Sequence, residues 1–133
     1  MNIATLPEAS NVVAAVRALT PRIAARAAAA DRGEQTLAPD IDDLRAAGLL
    51  CAPLAAVAGG VGLCWRTGAV EDGFDVLRLL GRANLAVARL YEGHVNAMKL
   101  VALYGCRKRW PGSRVPCALA RLWVSWAPTA RAR

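Results

Sequence analysis

No acidic residue follows Glu92 in this chain of 133 residues. Up to Gly105 ten basic and ten acidic side chains cancel, so the entire net charge of +7 falls in residues 106–133. A strongly basic protein ordinarily points to nucleic acid or an anionic membrane. Here the excess describes only the last fifth of the chain. Aromatic residues are also scarce, at 5%, and much of the 56% apolar content is alanine. That content excludes a disordered, charge-rich chain, but it leaves few bulky groups to fill a core. The length fits one small domain and not two.

Histidine occurs once, at His94, and none of Cys51, Cys64, Cys106 and Cys117 forms a CxxC pair. A Cys/His metal site is therefore not expected. The first ten residues, MNIATLPEAS, carry no Lys or Arg and no greasy stretch, so no secretory signal is expected. A cytoplasmic protein with reduced thiols follows as the default. Residues 46–65 are twenty uncharged residues in a row, enough to cross a bilayer. Pro53 and the glycines at 48, 59, 60 and 62 would break such a helix repeatedly, and a buried loop is the expectation.

What is present reads as helix. Ser10 caps a first helix with Val12, Val13, Val16 and Leu19 at helical spacing. Thr20-Pro21 kinks or ends it, and an alanine-rich stretch continues to about Gly33. Asp40 is expected to cap a short helix stopped by Gly48. A third helix, from about Ala69 to Gly81, carries Phe74, Val76, Leu77 and Leu80 on its apolar side. Asn84 caps a fourth, about Leu85 to Tyr104, with Ala88, Tyr91, Val95, Met98 and Ala102 as its apolar stripe. No alternating strand pattern occurs before residue 105. The expected fold class is all-α, with residues 1–9 flexible, a helical domain over 10–105 and an irregular basic tail over 106–133.

The order of these pieces resembles the N-terminal helical domain of acyl-CoA dehydrogenases. An alanine-rich helix ends in Asp31-Arg32, and a short helix ends in Leu44-Arg45-Ala46-Ala47-Gly48-Leu49. Pro53 follows, then Gly59-Gly60-Val61-Gly62, then the helix pair over residues 76–105. Where the family commonly has acidic or aromatic residues before the glycine pair, this chain has LAAVA, a departure that points to a divergent branch. The glycines do not form a dinucleotide fingerprint, since no strand precedes them; a tight loop is their plain reading.

The resemblance implies a longer protein with a β-domain and a C-terminal bundle, FAD between them, an acyl-CoA-like substrate and a homo-oligomeric assembly. It implies that residues 10–105 alone supply at most one wall of the substrate cavity and no catalytic residue. His94 has two readings. Some flavin monooxygenases of the same fold place a histidine near this point facing the flavin, which makes a fragment of such a monooxygenase an alternative. An interior, hydrogen-bonded histidine is the simpler account. Tyr91 and Met98, one turn either side, would line an acyl cavity or simply be core.

The tail CRKRWPGSRVPCALARLWVSWAPTARAR is rich in Arg, Trp, Cys and Pro. Those are the residues that GC-rich DNA yields when read out of frame, so a frameshifted or aberrant end is expected. The rival class is a small binding module. In it Arg107, Lys108, Arg109 and Arg114 contact phosphates, while Trp110, Trp123 and Trp126 stack on bases or sit at a lipid interface.

Overall fold

The computed structural model describes residues 9–104. The expected N-terminal segment, apart from Ala9, and the tail at 106–133 lie outside the described residues. Four helices follow one another: α1 (Ala9–Asp31), α2 (Ala38–Ala46), α3 (Val70–Ala83) and α4 (Leu85–Tyr104). A short 3-10 turn, Ala56–Ala58, interrupts the long segment between α2 and α3. There is no strand among the described residues, so this part of the chain is all-α as expected.

Helix α1 neither ends nor restarts at Pro21; it runs 23 residues through it. Proline cannot donate to the carbonyl four residues back, which here is that of Arg17. The Thr20 hydroxyl donates to that same carbonyl oxygen at 2.8 Å. The neighbour of the proline thus supplies the missing donor, and the helix continues. Val12, Val16 and Ile23 form its buried side.

Asp40 does not cap α2. The helix begins two residues earlier, at Ala38, with Pro39 in its first turn and no side-chain cap. Asp40 is instead fully buried against α1, where its Oδ1 accepts from Arg26 Nε at 2.7 Å. The end of α2 is as expected: Gly48 takes φ 74, and the Leu49 amide donates back to Leu44 O at 3.0 Å. A positive φ is easy for glycine and lets the chain close the helix.

Phe74 was expected on the apolar side of α3 but is 68% exposed. The buried stripe is Gly73, Val76, Leu80 and Ala83, and Phe74 sits a quarter-turn away from it. Of the stripe expected on α4, Ala88, Tyr91, Val95 and Met98 are buried, whereas Ala102 is exposed. Helices α1 and α4 both pack on α3, and one apolar core joins them to the segment after α2.

Asn84 breaks the α3–α4 hairpin in extended conformation. Its Oδ1 accepts from the amides of Ala86 at 2.9 Å and Val87 at 3.4 Å, two of the amides that a helix start leaves without a partner. Asn84→Ala is expected to cost about 1 kcal/mol, read as a lower urea midpoint with unchanged slope. Replacement by Asp, which keeps the acceptor, should cost less.

Candidate functional site

The twenty-residue uncharged run begins at the last residue of α2 and then folds as an internally laced loop that is buried only in part: Ala55, Ala56 and Trp65 are exposed. Leu49, Leu50, Ala52, Pro53, Leu54 and Leu63 are all buried. The glycine segment doubles back on residues 52–55: Val61 and Leu63 both donate to Ala52 O, at 3.1 and 3.0 Å, and Gly62 donates to Leu54 O at 2.7 Å. The Trp65 indole N–H reaches Pro53 O. No helix among the described residues is long and apolar enough to cross a membrane.

Against this loop lies the face of α4 that holds the three singled-out residues. Tyr91, His94 and Met98 are 1%, 3% and 5% exposed. The Tyr91 hydroxyl donates to Leu49 O at 2.9 Å, and His94 Nε2 lies 2.7 Å from Leu50 O. Two consecutive carbonyls of the loop are thus taken by two side chains one turn apart on α4. The rings are 6.3 Å apart and tilted. Within the described residues this arrangement anchors a helix to a loop.

Burial sets the electrostatics. It pushes the Tyr91 phenol well above its usual range, with nearby Cys64 adding to the effect. It also pulls the His94 imidazole below its ordinary value, a shift partly opposed by the bond to Leu50 O. The folded protein therefore favours neutral His94, and the unfolded chain binds the extra proton as pH falls. Stability should be at its plateau above the ordinary histidine pKa of about 6.5. It should decline as pH drops from there towards the lower folded value, then level off. Urea midpoints taken across this window should show the decline, and His94→Gln should flatten it.

Cys64 connects this anchor to α3. It adopts φ 71, unusual for a residue with a side chain, and accepts the close approach of Gly73. A methyl group at Gly73 would lie 2.2 Å from Cys64 Sγ. Its thiol is free and half-buried, and burial raises its pKa while Lys99 lowers it. Cys51 is disulfide-bonded, a departure from the expectation of reduced thiols.

Sequence reading missed a second cluster, at the α1–α2 contact. Arg26 Nη2 lies 2.6 Å from both Asp40 Oδ1 and Asp43 Oδ2, and Arg22 Nη1 lies 3.1 Å from Asp43 Oδ1. Hydrogen bonding to Asp43 leads the causes that raise the Arg26 pKa. The signal was present as spacing. Arg22 and Arg26 are four apart, and Asp40 and Asp43 three apart, so each pair shares one helix face.

The chain matches no protein-family model, no curated protein and no solved structure.

A flavin needs a cleft along which the backbone approaches its phosphates. The glycine segment offers none, because a methyl group on Gly60 would sit 2.0 Å from Leu54 O. The space that glycine opens is filled by this chain's own backbone. This loop therefore leaves no room for the phosphates of a flavin. The described residues hold no cluster of His, Cys, Asp and Glu able to bind a metal ion. Of Asp31-Arg32, part of the resemblance, Arg32 makes a local surface pair, its Nε donating to Glu34 at 2.7 Å.

Proposed function

We propose that residues 10–105 form the N-terminal helical domain of an acyl-CoA dehydrogenase-like flavoprotein, and that this chain by itself performs no catalysis. The observation that carries the reading is the succession from Asp31-Arg32 to Gly59-Gly60-Val61-Gly62. Each piece has a structural role that suits it: a helix end, a Gly48 helix stop, a buried Pro53 and a glycine loop folded tightly on residues 52–55. In the intact protein Tyr91, His94 and Met98, buried inside this domain, would hold α4 in place rather than line the acyl cavity. FAD and the glutamate base that removes the α-proton would come from other domains, and a base must be within reach of the proton it takes. On this reading residues 106–133 are an out-of-frame end.

The purified chain tests the claim about activity. It is expected to lack the visible absorbance of bound flavin, to take up none when FAD is added, and to reduce no electron acceptor with acyl-CoA thioesters. Bound flavin or thioester-dependent reduction by this chain alone would overturn it. Tight nucleic-acid binding that weakens steeply with salt, and disappears on removing residues 106–133, would instead favour the basic-module alternative.

A further inference from the structure

Helix α4 carries a second apolar line, opposite the buried one. Ala86, Leu90, Gly93, Ala97, Leu100 and Tyr104 recur at alternating steps of four and three, the spacing that keeps a stripe turned towards a partner helix. Ala97 is half-buried and the other five are exposed; Leu100 and Tyr104 are 57% and 80% exposed. Gly93 lies in the middle of the helix, and an added Cβ there meets nothing within 4 Å. Packing inside the domain therefore does not require glycine at this position, where it costs about 1 kcal/mol relative to alanine. A close approach from outside would account for it.

The occupant can be read from the order of side-chain sizes around Val95. Turning a second α4 end for end sets Gly93 against Ala97, Leu90 against Leu100, and Ala86 against Tyr104. Two small residues meet at the centre, where the backbones come closest. Leucines pair outside them, and the smallest side chains at the ends face the largest ring. Asn96, exposed beside the axis, would meet its own copy and pair amide to amide. A parallel arrangement sets Gly93 against Gly93 and Tyr104 against Tyr104, leaving a gap at one level and crowding at another. Such complementarity of a stripe with its own reverse is what a two-fold interface needs.

We propose that α4 pairs antiparallel with α4 of a second copy of this chain, in close contact through Gly93 and Ala97. The seam is about 28 Å long, at the small end of specific interfaces, so the dimer dissociates in the micromolar range.

Sedimentation equilibrium of the full chain over a wide micromolar range is the test, with circular dichroism as the check on folding. The mass is expected to rise from one chain of 14.0 kDa to two. Gly93→Leu, which has open space in the monomer and a better helix former in place of glycine, should weaken dimerisation about tenfold or more while keeping helicity. Leu100→Glu should do the same. Ala86→Trp should also weaken it, and adding Tyr104→Ala should restore it, a rescue available only to the antiparallel pairing. A chain that stays monomeric throughout, association that all the variants leave unchanged, or failure of the rescue would overturn the proposal.

Discussion

Gly60→Ala is expected to destabilise the domain by about 3 kcal/mol or more, or to prevent folding. The added methyl would lie 2.0 Å from Leu54 O, 2.4 Å from Leu54 C and 2.6 Å from Cys51 O. All three are backbone atoms, so no side chain can rotate aside. Relief would require moving the strip that also holds the carbonyls used by Val61, Gly62 and Leu63. For a domain of this size the loss corresponds to a drop of about 12 °C or more in Tm. Gly73→Ala should cost less, because its closest conflict is with Cys64 Sγ at 2.2 Å, a side-chain atom. Gly81→Ala should stabilise by up to about 1 kcal/mol, since its methyl would meet Ala88 Cβ at an ordinary 3.9 Å. Thermal unfolding of the three variants checks the order, and equal effects would contradict the packing described for the loop.

The second large effect is expected from Arg26→Ala, at about 3–5 kcal/mol. Asp40 is fully buried, and Arg26 is the side chain that holds it, through Nε at 2.7 Å and Nη2 at 2.6 Å. Its Oδ2 accepts no hydrogen bond, so the carboxylate is already incompletely satisfied. Removing the guanidinium leaves a buried charge without compensation, which costs far more than the intact pair contributes. Asp43→Ala should be milder, since Asp43 is partly open to water and shares Arg22 and Arg26. Replacing Arg26 and Asp40 together with apolar residues should recover most of the loss. Urea denaturation of the single and double variants measures this directly, and an Arg26→Ala cost under about 1 kcal/mol would contradict it.

How far the fold could be read in advance depended on the range of each interaction. The four helices, the Asn84 cap and the Gly48 stop were legible because they rest on neighbours within a turn or two. The loop character of residues 47–65 was legible because an uncharged run broken by Pro53 and glycines has little alternative, but not which of its residues face inward: Ala55, Ala56 and Trp65 are exposed. The continuation of α1 through Pro21 stayed open, since proline either kinks or ends a helix, and the local feature that supports continuation is the Thr20 hydroxyl. Asp40 misled for a different reason. A residue type that often caps helices was drawn instead to Arg26, fourteen positions away in sequence. Phe74 misled because hydrophobicity alone assigned it to the core, whereas the close contact with Cys64 reserves the inner position for Gly73. At the candidate site, helical spacing placed Tyr91, His94 and Met98 on one face of α4. The carbonyls of Leu49 and Leu50 that Tyr91 and His94 meet are more than forty residues away and left no mark in the local pattern.

The change of composition at Gly105 carries the central claim, that a family-like helical domain gives way there to unrelated sequence. The DNA downstream of codon 105, read in the two other frames, tests it most directly. One of those frames is expected to continue with residues resembling the approach to the β-domain of acyl-CoA dehydrogenases. If neither frame does, the reading of residues 106–133 as an out-of-frame end is wrong.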